Sequence, residues 1–594
     1  MITVTGVHAG DLQFTSAPVP TNDLDKRSVL TSQFAIVDGK QLDVNYNTIM
    51  RSGDQPSPNS YPFGTLVDIN GNPVIDMNGD IRVSNDNDFS SLVHGDRHGG
   101  LFMVSHFESR PAAMYLTQLL QNPVTGQLKP MRTRPLDFSH VRGGWVHCAG
   151  SVAPWGNHIG SEEYPPDAKQ WRDKTIDDYN AYMAQYFGVE PQVVNGVVQN
   201  QDEIIAVMNP YDYGFTIEVD VKNFNQASVV KHYAMGRVAI ELSYVMPNEK
   251  TVYTSDDGSR VGLFRFEADR EGDLSSGALY AAKFSQTSYY AGSNERVADD
   301  LRDGGAGNIS WIELGHANDA EIRAIIDRGV TFADIFDEDV TGCTTIINRD
   351  TGSSGECLKL KTSNGLGMSA AEISKAAAFL ETSRYAGLMG ATTEWEKMEG
   401  ITLDPDTNIM YLAMSRVRNA MTDGTGDISV PYNYCGTVYG LDLDPNYVAT
   451  NMYGVVAGLP RTYGNGALVD NLYPADGPYA KNECDLNAIA EPDNLTFIPG
   501  YKTLIIGEDT GEHQNDMIWA FNVERNELTR VQTTPYGSET TSPYFYADIN
   551  GFSYIMSVIQ HPFGESDQNA LLVPKEARGY TGYLGPFPAA GSDD

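Results

Sequence analysis

The sequence predicts an all-β fold, a single large β-propeller carrying helical and loop insertions. Three observations lead there. Short, alternating, strand-like segments recur along the whole chain; a strand–turn–strand unit is repeated with an acid at its head; and helical patterns are confined to two stretches.

The strand-like segments are LFMVSHFE (101–108), YGFTIEVDV (213–221), VGLFRFEAD (261–269), ALYAAKFS (278–285), TVYGLDLD (437–444) and MIWAFNVE (517–524). Each is aromatic or β-branched, roughly alternating, and bounded by turn formers, and 57 Gly and 30 Pro supply such turns at short intervals. Helical periodicity appears at 167–187 and at 369–389, the second opening on Ser369 with Glu372 three residues later, a capping box. With no low-complexity segment or Pro/Ser-rich linker, residues 1–594 read as one domain with these helices as insertions.

The repeat is ELSYVMPNEKTVYTSDD from Glu241, EGITLDPDTNIMYLAMS from Glu399 and DNLTFIPGYKTLIIGED from Asp493. In each, an acid is followed six residues later by a proline (Pro247, Pro405, Pro499), then a polar turn and an apolar strand. Hairpins repeated at wide spacing are how propeller blades look in sequence. Radially arranged blades would bring the three acids together on the axis, where like charges coexist only with cations or bound protons.

The charge balance, 41 basic against 78 acidic residues and a net −37, disfavours nucleic acid and anionic membranes as partners and suits hard cations or saline surroundings. No apolar run approaches the ~18–20 residues of a membrane span. The opening, MITVTGVHAGDLQF, lacks the pattern of a signal peptide, so the chain is either cytosolic or a mature exported form. Five cysteines bear on this choice: Cys343 with Cys357, and Cys435 with Cys484, form natural disulfide pairs, which favours export and leaves Cys148 unpaired.

Cys148 opens the most specific stretch, HCAGSVAPWGNHIGSEE, in which Pro154-Trp155-Gly156 reverses the chain between the thiol and Glu163. One cysteine among many acids points to a mixed metal cluster rather than a structural zinc site, which wants four Cys/His ligands at tight spacing. No P-loop, GxSxG or HExxH element is present.

These residues resemble the PhoX alkaline phosphatases. The resemblance rests on Cys148-Ala149-Gly150 leading through Pro154-Trp155-Gly156 to Glu162-Glu163, on Gly236-Arg237 leading to Glu241, on Lys397-Met398-Glu399, and on Pro492-Asp493-Asn494, in the family's order. It implies a six-bladed propeller with iron and calcium in its channel, hydrolysing small phosphate esters in the periplasm or outside the cell. It implies Cys148, Glu163, Glu241, Glu399 and Asp493 as metal ligands and Lys397 and Asn494 as neighbours of the substrate phosphate. It also implies a basic contact near the cysteine, Arg142 or His140, of which Arg142 is chosen. Lys397 departs from the family's arginine, exchanging a bidentate fork for a point charge, and Met398 departs from its proline. Ser105-His106-Phe107-Glu108 is similar to the family's N-H-E element without matching it, and no twin-arginine signal is present.

Other candidates read more simply. Asp68-Ile-Asn70-Gly-Asn72 and Asp76-Met-Asn78-Gly-Asp80 are expected to be Asx-turns, and His94, His98 and His106 surface or strand-packing residues. Glu508-Asp509 to His513, Asn515 and Asp516 are candidates for the channel mouth. Two rival functions remain: another propeller hydrolase, phytase- or lactonase-like, and a calcium-stabilised extracellular binding or structural module without phosphatase activity.

Overall fold

The computed structural model describes residues 10–76, 78–96, 100–289, 304–461, 473–474 and 476–590; His98 lies outside them. The strand-like segments become strands, at Leu101–Phe107, Thr216–Asn223, Leu263–Arg270, Asp273–Ser288, Thr437–Asp442 and Met517–Asn522. Alternation is weak in the innermost strands, because both faces of a propeller strand near the axis are covered: Met398–Asp404 and Pro492–Ile498 are buried throughout.

Six antiparallel units of four strands follow one another along the chain, the fifth extended by the short strand Leu30–Thr31. Their innermost strands are Ser90–His94 (blade 1), Ser151–Val152 (blade 2), Ile240–Val245 (blade 3), Met398–Asp404 (blade 4), Pro492–Ile498 (blade 5) and Tyr544–Ile549 (blade 6). Consecutive innermost strands from blade 1 to blade 6 touch one another. The ring closes where the blade 6 residue Tyr546 accepts the backbone N–H of Leu92 in blade 1 through its hydroxyl, at 2.7 Å. Blade 6 takes its fourth strand from the other end of the chain: Tyr46–Arg51 pairs antiparallel with Tyr580–Pro588. The fold is thus the predicted β-propeller.

Two features depart from separate blades with simple insertions. The long strand Asp273–Ser288 pairs with Ala306–Asn318, which reaches Asn451–Ala457, so blades 3 and 4 share one nine-stranded sheet. The helices expected at 167–187 and 369–389 are each broken. The first ends at Lys174, in the left-handed region (φ 57°), and restarts where Asp177 caps Asp178–Ala181, continuing as a 3₁₀ turn over Tyr182–Phe187. The second begins at the expected Ser369/Glu372 capping box and splits into Ala370–Leu380 and Thr382–Leu388. There the Thr382 hydroxyl donates to the Ala378 carbonyl at 2.7 Å, a bond that bends helices.

Both expected disulfides are present, Cys343–Cys357 with Cα atoms 5.4 Å apart and Cys435–Cys484 with 6.1 Å. Cys148 is free and buried. Asp68 accepts the N–H groups of Asn70 and Asn72, and Asp76 those of Asn78 and Asp80, all at 2.8–2.9 Å, which are the expected Asx-turns.

Candidate metal centre

In each of the three repeat units the pairing of the first two strands shifts register by one residue at the head acid. The shift lies between Ile240 and Ser243, between Met398 and Ile401, and between Pro492 and Leu495. A bulge re-aims side chains, and here it occurs at Glu241, Glu399 and Asp493. The three carboxylates meet, with ligand atoms all within 4.8 Å of one another.

Two further triplets extend this one. Cys148 and Glu163 share Glu241, and Asp88 and Glu108 share Cys148, each set again within 4.8 Å. The structure therefore brings together all five ligands expected from sequence and adds Asp88 and Glu108. Asp88 precedes the innermost strand of blade 1 and occupies the place that Cys148, Glu241, Glu399 and Asp493 hold in blades 2 to 5; blade 6 places Ser542 there. The Ser542 hydroxyl lies 2.5 Å from the Asn494 side-chain oxygen and 3.0 Å from Asp88, its one hydrogen shared between the two acceptors.

A second tier comes from the far ends of the second strands, which run back towards the heads. Glu108 follows Leu101–Phe107, Glu163 follows His158–Gly160, and Asp257 follows Thr251–Asp256. Glu162, the other half of the double glutamate, faces away: it pairs with buried Lys231 at 2.8 Å and accepts the N–H groups of Trp145, Gly214 and Phe215. Arg237 likewise serves the backbone, donating to the carbonyls of Tyr213 and Leu380.

The cluster is electrostatically incomplete. Six carboxylates and a thiol converge where, apart from the Lys397 ammonium and the Arg110 guanidinium, the protein supplies little compensation. Burial, then the neighbouring acids, pushes Asp88, Cys148, Glu163, Glu399 and Asp493 well above their ordinary ranges. Burial pushes Glu108 up to about 7 and, with Asp257 beside it, Glu241 up to about 8. Burial also opposes ionisation of Asp257, but Lys397, 3.7 Å away, together with hydrogen bonds to Glu163, Tyr164 and the Gly258 backbone, outweighs it and holds that carboxyl below the usual range. Such a set stays ionised at neutral pH only with cations bound. Carboxylate oxygens with one sulfur suit hard cations together with a metal that accepts thiolate.

Lys397 also lies 3.4 Å from Glu399, on a backbone in the left-handed region (φ 48°). Asn494 donates both amide hydrogens to ligands, to Glu241 at 3.0 Å and Asp493 at 2.9 Å. Arg142 does not reach the cluster. It pairs with Asp212 at 2.9 Å and donates to the Val207 carbonyl, while His140 meets the Val229 carbonyl. Arg110, unmarked in sequence, is the guanidinium close enough for Glu108 and Glu163 to act on its charge. Of the candidates at the mouth, Glu508 and Asp516 fasten a loop: Glu508 accepts from Trp519, Met517 and Ala490, and Asp516 from Thr510. A separate triplet, Glu539, His561 and Glu565, lies in blade 6 with His561 paired to Glu539 at 2.9 Å.

The family profile described as alkaline phosphatase PhoX matches residues 75–562. The chain belongs to the PhoX alkaline phosphatase family. This PhoX protein is accordingly a phosphoric ester hydrolase of the alkaline phosphatase type. Among solved structures it is similar to Pseudomonas fluorescens PhoX in complex with vanadate, a transition state analogue. That likeness has 16% identity and a TM-score of 0.59, over 97% of this chain and 98% of the other, and shows the shared fold. Weaker likenesses are a putative 6-phosphogluconolactonase from Bacteroides uniformis (11% identity, TM-score 0.27, 75% of this chain and 85% of the other) and the periplasmic gluconolactonase PpgL of Pseudomonas aeruginosa (10%, 0.29, 84% and 98%). No curated protein matches the sequence.

Proposed function

We propose that this PhoX protein hydrolyses small phosphate esters outside the cytoplasm at a multinuclear iron and calcium centre in the propeller channel, residues 1–594 acting as one domain. One observation carries the reading: three overlapping ligand triplets, joined through Cys148 and Glu241, hold six carboxylates and one thiol. Cys148, Glu163, Glu241, Glu399 and Asp493 would hold the ions, with Asp88 and Glu108 completing the set. The sulfur favours iron at the Cys148 end, and the all-oxygen triplet Glu241, Glu399 and Asp493 favours calcium. Bound ions supply Lewis acidity and positive charge for the phosphoryl oxygens.

The chain's own groups do the rest. Lys397, fixed between Asp257 and Glu399, presents an ammonium to the charge that develops on the equatorial oxygens. Asn494 is a positioning residue, its two N–H donors keeping Glu241 and Asp493 turned inward. The two disulfides support an oxidising compartment, and no helix among the described residues is long and apolar enough to cross a membrane.

The test is elemental analysis of protein purified without added metal, paired with turnover of an aryl phosphomonoester. Iron together with calcium, and turnover lost on chelation, is the expected result. Calcium alone without turnover would replace this reading with the calcium-stabilised binding module.

A further inference from the structure

A cavity of about 370 Å³ lies beside the cluster, with Arg110, Tyr164, Asp177 and Arg349 in its wall. Tyr164 is the partition. It follows Glu163 directly, and its hydroxyl donates to Asp257, the acid that faces Lys397. Anything in the cavity is therefore one side chain away from the cluster.

Two guanidinium groups stand on the cavity side. Arg110 rests over the Trp145 ring, 5.2 Å from its centroid, and among the described residues makes no hydrogen bond or ion pair. Arg349 is paired to two acids, its Nη2 with Asp350 at 2.9 Å and its Nε with Asp256 at 3.8 Å, although that Nε has no hydrogen-bond partner. Its stem is packed against Gly258, where an added Cβ would come within 2.8 Å of the arginine's Cδ. The acids in the same wall are already occupied. Asp350 is held by Arg349, Asp167 by Arg384 at 3.0 Å, and Asp177 caps a helix through the Asn180 N–H at 2.7 Å. The Arg110 guanidinium, which feels Glu108, Glu163 and Asp177 at a distance but bonds to none of them, is a planar fork of donors, the shape that carboxylates and phosphates fit.

We infer that this cavity receives an anionic group carried by the leaving alcohol of the phosphate ester. Arg110 binds it, Arg349 reinforces the charge behind it, and the enzyme prefers phosphorylated hydroxy acids to esters of neutral alcohols. The inference rests on the phosphatase reading above. It adds a binding contact distinct from the cluster that meets the transferring phosphoryl group.

The experiment compares kcat/KM for 3-phosphoglycerate and glycerol 3-phosphate, which differ by a carboxylate in place of a hydroxymethyl, on the metal-loaded full-length protein. The wild type should favour 3-phosphoglycerate by about tenfold, one charge-assisted contact's worth. Arg110→Met should bring the ratio to about one through the KM for 3-phosphoglycerate. Arg349→Met, which removes the reinforcing charge, should lower the ratio as well and guards against a misfolded Arg110 variant. A wild-type ratio of about one, or equal losses on both esters in Arg110→Met, overturns the inference while leaving the phosphatase reading intact. No turnover of either ester or of an aryl phosphate removes that reading, and this inference with it.

Discussion

The Nε2 atoms of His106 and His158 lie 2.6 Å apart in the buried core behind Cys148. One of them must carry the proton and the other must accept it, and their remaining nitrogens fix which. His106 Nδ1 meets the Cys148 carbonyl at 2.6 Å, so it is the protonated nitrogen and its Nε2 accepts. His158 therefore donates from Nε2, and its Nδ1 accepts from the Ser91 hydroxyl at 2.8 Å. Burial depresses both rings, His106 to about 4, which keeps this neutral chain in place at physiological pH. The chain ends on the backbone of the thiol residue, so it holds Cys148 in position without touching an ion.

His106→Phe should leave the Cys148 carbonyl buried without a donor, costing about 1–3 kcal/mol. Bound metal should fall with it. Thermal melts and elemental analysis measure the two effects, and a variant with unchanged metal content would show that the histidine chain does not position the thiol.

Cys148→Ser should abolish phosphomonoester hydrolysis in a protein that still folds, since a hydroxyl is a poor replacement for a thiolate ligand. Near-normal activity would make Cys148 a packing residue.

Glu241→Ala removes the residue shared by two ligand triplets. Metal content should fall, and the melting temperature with it, because metal binding contributes to folding stability. Excess calcium should restore part of the loss. A simple turn cap would instead cost ~0.5–2 kcal/mol with no calcium response, and that outcome would sink the channel assignment.

Chelated protein should lose stability as pH rises. The ordinary carboxyl value is 4.5, and in the fold Glu108 is raised to about 7 and Glu241 to about 8. Between these limits the folded state binds more protons than the unfolded one, so their contribution is complete below 4.5 and disappears as pH climbs past 8. Above pH 6.5 the depressed histidines no longer oppose the trend. Stability of the chelated protein should therefore fall from pH 6.5 to about 8.5, by at most about 1.4 kcal/mol per pH unit for each proton, and the melting temperature with it. Excess calcium should flatten the profile, and a rise on alkalinisation without metal would contradict it.

Intact mass before and after reduction should register two disulfides, Cys343–Cys357 and Cys435–Cys484. Five free thiols in protein from its native source would remove the support for an exported enzyme.

What the sequence made legible was whatever repeats. Glu241, Glu399 and Asp493 stood out because each precedes a proline by six residues. Asp88 holds the same place in blade 1 but has His94 where the proline would be, and so escaped notice. Asp257 closes one of the repeat segments, yet its meaning depends on antiparallel pairing, which carries the end of one strand back beside the head of its partner. Arg142 misled for the opposite reason. It is close to Cys148 in sequence, but a left-handed turn at φ 65° directs it to Asp212.

Blade 6 draws one strand from residues 46–51 and three from beyond residue 543. Each ligand triplet draws on the same or consecutive blades, so the acids begin to meet, and their repulsion and affinity for cations to grow, as neighbouring blades pack. The pairing of residues 46–51 with 580–588 then clasps the ring, so one latch far from the acids limits how far repulsion among them can spread the channel.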